Sequence, residues 1–473
     1  MLQIQDRGGD LDSRTKIHDL VVAFYRDVAI DDVLAPVFNE VAEVDWAEHL
    51  PTLVDYWCRV LLGERGYEGY ILHPHQALHE MVPLRPEMFD RWIQLFDAAL
   101  DERWAGPVAD EAKRHAGKIA SMLSRRITGR DWSREDSPRL STPLTDRLGI
   151  DHPVLSAPMD GAAGGRLAAA VSAAGGFGFI GGGYPDPVWL RDQLDLAGDA
   201  RVGVGFITFA LDRAPAALDD ALDAGVPAIQ LSFGDPRPHA DRIHDSGALL
   251  VCAVQSVDDV HQALEARADV LIAQGRDAGG HGRPDRGTMA LIPSIVDRVA
   301  PLPVVAAGGI ADGRGLAAAL TLGASGVSLG TRFLATEEAV SSPAEARALV
   351  QSRSDDTVRS DVIDRIRGPE WPAGYDARIL RNDLVDRWHD RPDEIEHHRD
   401  ALRRAYRSAS ADDFSTRAIW AGESLDLVDD IETAGAVVRS TVARAVREIR
   451  SVASLVDSVV DSSADRSSAA TTT

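Results

Sequence analysis

Eight short apolar runs, each followed by a stretch of helical periodicity, set the strongest limit on what this chain can fold into. They are Val154 to Met159, Phe177 to Ile180, Val202 to Thr208, Ala228 to Phe233, Leu249 to Val254, Val270 to Ala273, Val304 to Ala307 and Gly326 to Leu329. Most lack polar alternation, the pattern of parallel strands covered on both faces. Eight βα units predict a (β/α)8 TIM barrel, with a doubly wound sheet as the competing arrangement. In a barrel the chemistry sits at the carboxyl ends of the strands, so functional residues are sought there.

The rest of the chain separates into zones around this core. Residues 1–127 read as helices, because Leu20, Val21, Phe24 and Val28, and later Leu50, Leu53, Val54 and Trp57, recur at helical spacing. Trp46, Trp57, Trp92 and Trp104 concentrate there. Residues 128–141 are polar and turn-rich, as a linker would be. The barrel is expected over 142–456, with extra C-terminal helices and an insertion, Trp371-Pro372-Ala373-Gly374-Tyr375-Asp376, beyond the eighth strand. An amphipathic helix from Asp430 to Val456 is expected either to pair two copies as a homodimer or to cap the barrel. Residues 457–473 are rich in Ser, Thr, Ala and Asp, with too little apolar surface to fold, which predicts a disordered tail.

Composition excludes some partners. A formal net charge of −24 over 473 residues repels nucleic acid and anionic membrane. No uninterrupted apolar run is long enough to span a bilayer, and the first residues lack a basic region followed by an apolar one. Cys58 and Cys252 lie far apart in apolar segments, against a disulfide framework. The expectation is a cytoplasmic protein of two or three domains.

The last two barrel strands carry a phosphate signal. Gly308-Gly309 ends the seventh and Gly330-Thr331 the eighth. Backbone N–H groups approach a phosphate closely where no Cβ intervenes, and the Thr331 hydroxyl can add a donor. Tight βα turns are the plain alternative. Upstream, Gln274-Gly275-Arg276-Asp277-Ala278-Gly279-Gly280-His281-Gly282 sets an imidazole at a glycine-lined strand end. His281 is thus a candidate acid–base or electrostatic residue, against the alternative of a structural histidine.

The run from Leu144 to about Leu334 resembles the nitronate monooxygenase family, flavin enzymes once called 2-nitropropane dioxygenases. The matching pieces are Ala157-Pro158-Met159, Gln274-Gly275, Ala278-Gly279-Gly280-His281, Ala306-Ala307-Gly308-Gly309-Ile310 and Gly330-Thr331-Arg332-Phe333, with Trp371-Pro372 and Arg378-Ile379-Leu380-Arg381-Asn382 resembling the tail of some members. The resemblance implies non-covalent FMN held by Gln274, Gly279, Gly308, Gly309, Leu329, Gly330 and Thr331, with Met159 beneath the isoalloxazine and His281 catalytic. It implies oxidation of a nitronate or nitroalkane by O2 to a carbonyl compound and nitrite. Two positions depart from the family pattern. Gly205 stands where many members carry an asparagine, and Asp277 where a glutamate precedes Ala-Gly-Gly-His. An NAD(P)H-dependent FMN quinone or enoyl reductase is the alternative for the barrel, although no Gly-x-Gly-x-x-Gly fingerprint is present.

Residues from Ile17 to about Arg126 resemble a group III truncated haemoglobin. Phe24-Tyr25, Pro36-Val37-Phe38, Trp46-Ala47-Glu48-His49, Tyr56-Trp57, Tyr67-Glu68-Gly69 and Phe89-Asp90-Arg91-Trp92 match its order and spacing. Three histidines, His73, His75 and His79, compete as iron ligand; the resemblance selects His75, six residues after Gly69. It places Tyr25, His49 and Trp92 on the opposite face of haem b and Phe38 at the haem edge. A Tyr hydroxyl and a Trp indole N–H are donors for O2, NO or peroxide. The reading is a two-cofactor oxidoreductase; a globin acting as a gas sensor that regulates the barrel is a second.

Overall fold

The computed structural model describes residues 9–128 apart from 32, 43, 65–68, 70, 71 and 102, and residues 140–468 apart from 369 and 370. It divides into two compact units, Met1–Pro138 and Arg139–Thr473. Most of the expected linker, and the Tyr67-Glu68 pair, lie outside the described residues.

The first unit is helical, as its periodicity predicts. Its helices are Arg14–Val28, Trp46–Leu62, Leu72–Met81, Pro86–Asp101 and Pro107–Thr128, with a π-helical stretch at Pro36–Val41. The Ser13 hydroxyl caps the first by accepting from the Lys16 N–H, and Asp45 caps the second through Ala47 and Glu48. Gly63 ends that second helix in the left-handed region. Phe96, fully buried, lies between Trp57 (ring centroids 4.8 Å apart) and Trp92 (5.6 Å), stacked on both. Aromatic side chains bury the most apolar area per residue, so this stack anchors the core.

In the second unit the eight expected runs form an eight-stranded parallel sheet. The strands are β1 (Val154–Ser156), β2 (Phe179–Gly183), β3 (Gly203–Ile207), β4 (Ala228–Ser232), β5 (Leu249–Val254), β6 (Val270–Gln274), β8 (Val304–Ala307) and β9 (Gly326–Leu329). They run in the order β1-β9-β8-β6-β5-β4-β3-β2, and a parallel bridge between Leu155 and Phe177 joins the first to the last. The sheet therefore closes as a barrel, not a doubly wound sheet.

Period-two alternation sorts the side chains. Leu155, Phe179, Ala228, Val251, Ile272 and Val305 fill the interior, where Leu144 and Leu148 of the helix Pro143–Leu148 join them. Val204, Ile229, Leu250, Leu271, Val304 and Val327 pack outward against the helices. Burying each such side chain stabilises the fold by roughly 1.5–3 kcal/mol.

A second sheet stands apart from the barrel wall. β7 (Gly280–Gly282), β10 (Thr357–Ser360) and β11 (Asp376–Leu380) pair antiparallel in the order β10-β11-β7. The final helix, Ala434–Ser468, lies on the helices Gly313–Thr321 and Gly165–Ala173. Val437, Val438, Val442 and Ala445 enter the barrel's outer core, so this helix caps the barrel. It continues past residue 457 into the segment whose composition predicts disorder. An established helix adds residues at little cost, since only its nucleus is unfavourable. Among the described residues, no helix is long and apolar enough to cross a membrane.

Tyr56 Oη lies 2.6 Å from His115 Nε2, and burial holds the His115 imidazole below its ordinary pKa of 6.5. The folded unit therefore protonates His115 only at a lower pH than the unfolded chain, which takes up that proton below about pH 6.5. Stability from this site is complete above that pH and falls as pH drops further. The midpoint of the helical unit in scanning calorimetry is expected to fall between about pH 7.5 and 5.5, with a shallower slope in His115→Gln; an equal slope would assign the acid sensitivity elsewhere.

Candidate active site

The carboxyl ends of the barrel strands surround one cleft, lined by Met159, Gln274, Gly279, His281, Gly308, Gly309, Gly330 and Thr331 among others. Every barrel site residue expected from the sequence is there except Leu329. That side chain is fully buried in the layer between strands and helices, and its carbonyl accepts from Ala157 N–H at 2.9 Å. The period of two explains the difference: the neighbours Ser328 and Gly330 face the cleft, so Leu329 faces away.

Gly308 and Gly309 adopt φ of 107° and 69°, conformations that glycine tolerates. A Cβ on Gly308 would also lie 2.8 Å from Thr288 Oγ1 and 2.9 Å from Ala278 N. Thr331 Oγ1 accepts the Gly422 N–H at 3.0 Å, so its own proton stays available to a ligand. Gly279 abuts the same segment, with Ala421 and Gly422 backbone 2.6 Å from where its Cβ would be. Gln274 Nε2 donates to the His281 carbonyl at 2.8 Å and ties β6 to β7. Asp277, at the glutamate position of the resemblance, accepts from Thr288 N–H at 2.7 Å and so caps the helix Thr288–Val299.

The electrostatic partner of His281 comes from outside the barrel. His281 Nε2 is 2.9 Å from Asp364 Oδ2, and Asp364 sits buried on the helix Val362–Arg367. The imidazole stacks flat on Trp371, with centroids 3.6 Å apart and planes 7° apart, and Trp420 flanks it at 5.1 Å. Phe209, Phe233 and Tyr375 meet Trp371 edge-on or tilted, and its indole N–H donates to Tyr184 Oη at 2.8 Å. The sequence singled out Trp371 as part of an insertion and of the tail resemblance, without placing it against His281, and Asp364 and Trp420 carried no signal.

Two further carboxyls line the cleft. Burial lifts Asp160 above the usual carboxylate range, against the opposing pull of the Tyr184 N–H, Arg367 and His281. Glu345 is lifted likewise by burial.

In the helical unit, Tyr25 is buried and shares a hydrogen bond with Trp92; burial raises its phenol well above the ordinary value. Phe38 and Trp46 stack at 5.8 Å, and Trp46 meets Tyr25 at 5.6 Å and His49 at 6.3 Å. Burial and the nearby charge of His75 depress His49. Tyr25, Phe38, His49 and Trp92 thus gather on one aromatic cluster, and His75 lies within its electrostatic reach. Of the competing histidines, His79 accepts the Leu84 N–H at Nδ1, 2.9 Å, while His73 is exposed.

Comparison with known proteins agrees with both units. The family model for nitronate monooxygenase matches residues 141–199 and 208–460. The chain belongs to the nitronate monooxygenase family. Residues 9–123 match the model for bacterial-like globin, so a globin is fused ahead of the barrel. A Staphylococcus saprophyticus protein named "Probable nitronate monooxygenase" is 31% identical over 359 residues, 65% of this chain and 98% of that one. A Mycobacterium tuberculosis (3aS,4S,5R,7aS)-5-hydroxy-7a-methyl-1-oxo-octahydro-1H-indene-4-carboxyl-CoA dehydrogenase is 34% identical over 258 residues, 53% of this chain and 68% of that one. The solved nitroalkane oxidase from Streptomyces ansochromogenes superposes with a TM-score of 0.54 at 28% identity, covering 66% of this chain and all of that one.

Within this family chain, Gly205 has no room for a side chain. A Cβ there would lie 2.3 Å from the Pro158 ring. Gly205→Asn is therefore expected to destabilise the barrel by about 1–3 kcal/mol, the range for overpacking. Urea unfolding checks this, and a neutral substitution would show that Pro158 yields.

Proposed function

We propose that the cleft binds FMN and oxidises nitronates or nitroalkanes with O2 to a carbonyl compound and nitrite, and that the globin unit binds haem b. The observation that carries the barrel reading is His281, fixed by Asp364 at the glycine-lined mouth. The residues present fit the cofactor. The turns at Gly308, Gly309 and Gly330, with the free proton of Thr331, would hold its phosphate, while Met159, Gln274 and Gly279 would line the ring. Bound there, FMN would supply the electron acceptance and the reaction with O2.

The chain's own residues handle the proton and the charge. With Nε2 held on Asp364, His281 presents Nδ1 to a substrate. A nitroalkane C–H is acidified by its nitro group, so neutral His281 removes the proton at Nδ1. Asp364 then faces an imidazolium and offsets its charge across the 2.9 Å contact. For a nitronate, which arrives as an anion, protonated His281 instead donates to a nitro oxygen and compensates the negative charge. Trp371, Trp420 and Phe233 line this part of the cleft with apolar surface and limit water.

Anaerobic addition of a nitronate to the flavin-loaded protein is expected to bleach the flavin band. His281→Asn should lower kcat/KM for nitroalkanes by about 10²–10⁴-fold, the usual worth of a general base. A flavin that stays oxidised with every nitronate and nitroalkane, yet is reduced rapidly by NADH, would replace this reading by the reductase one.

In the globin unit, His75 fits as the iron ligand because His79 is engaged by backbone, and Tyr25 and Trp92 supply donors for O2, NO or peroxide. The purified protein is expected to show a Soret band that His75→Ala abolishes and His79→Ala retains; the reverse pattern would move the ligand to His79.

A further inference from the structure

Inside the barrel mouth, the carbonyl oxygen of one side-chain amide is buried without a partner. Gln230 on β4 is 5% exposed, and its Oε1 has no hydrogen bond among the described residues. Its Nε2 is committed to Ser232 Oγ at 3.2 Å. The alternation that sends Ile229 and Leu231 outward turns Gln230 and Ser232 inward, and both line the cleft. Gln230 lies directly across from Gly205 in the β3–β4 register. At Gly205 the Pro158 ring leaves no space for an amide side chain. The amide at this level of the mouth therefore comes from the adjacent strand, and the end it leaves open is an acceptor.

A buried acceptor is costly unless a donor meets it. Resting on the FMN reading, the requirement is for a donor on the bound flavin, and the ring offers one. The oxidised isoalloxazine carries a single ring N–H, at N3, and that N–H persists in the reduced ring. We infer that Gln230 Oε1 accepts the N3–H of bound FMN, so that Gln230 recognises the flavin ring. Ser232 is then a positioning residue that keeps the amide turned with its oxygen toward the cofactor.

The test measures dissociation constants of FMN and of 3-methyl-FMN, which lacks that N–H, by fluorescence quenching of the full-length protein. The wild type should bind FMN about 5- to 10-fold more tightly than the methylated flavin, the effect of one hydrogen bond. Gln230→Met should weaken FMN by a similar factor and abolish the discrimination. Equal affinity of the wild type for the two flavins overturns the inference without any variant. Discrimination that persists in Gln230→Met overturns it as well, by assigning the preference to steric fit elsewhere. A wild type that binds neither flavin refutes the FMN reading itself, a result distinct from either of these.

Discussion

The contact between His281 and Asp364 joins two parts of the chain that no barrel topology would bring together. The imidazole rides on β7, a three-residue strand that the barrel wall does not include. Its backbone is paired to β11, and Arg359 fastens the arrangement by donating to the Gly282 carbonyl at 2.6 Å and to Asp376. Asp364, on the helix Val362–Arg367, then meets the imidazole at 2.9 Å. Removing one member of a buried hydrogen-bonded pair that carries charge costs about 3–5 kcal/mol, because the survivor stays buried. The extension after β9 is thus part of the site, and the barrel alone would present an unsupported histidine.

The barrel was legible because its strands announce themselves locally. Each apolar run is short, most are flanked by glycine or proline, and the pattern repeats eight times, so errors at single boundaries do not alter the topology. The glycines and His281 were legible because they sit within a few residues of those strand ends. Leu329 shows the limit of reading by adjacency: one step along a strand reverses the face, and a motif alone does not reveal which residue turns inward. Asp364, Trp420 and Gly422 were hidden for another reason. They lie 83 or more residues from His281 in segments with little periodicity, and only tertiary pairing brings them to the mouth.

The helical unit yields a different division. Its helices follow from spacing, and its aromatic cluster from composition. Which of His73, His75 and His79 faces the cluster was not decided by pattern, since all three fall on one short helix, Leu72–Met81. The backbone decides part of it: the Leu84 N–H occupies His79, where the chain leaves that helix. His115 shows what residue type alone conceals. Its partner Tyr56 is 59 residues away, and nothing in either neighbourhood signals a pair.

The charges in the cleft bear on what it can admit. Burial raises Asp160 and Glu345 above the usual carboxylate range, so each takes up a proton more readily than an exposed carboxylate would. Asp364 faces His281 directly, and Arg367, one turn later on the same short helix, lines the cleft beside them. The mouth therefore sets an imidazole and a guanidinium beside these carboxyls, and Trp371, Trp420 and Phe233 add apolar wall surface, which strengthens such interactions. The −24 charge of the whole chain does not govern the cleft, because the exposed carboxylates that dominate it are screened by salt within about 10 Å.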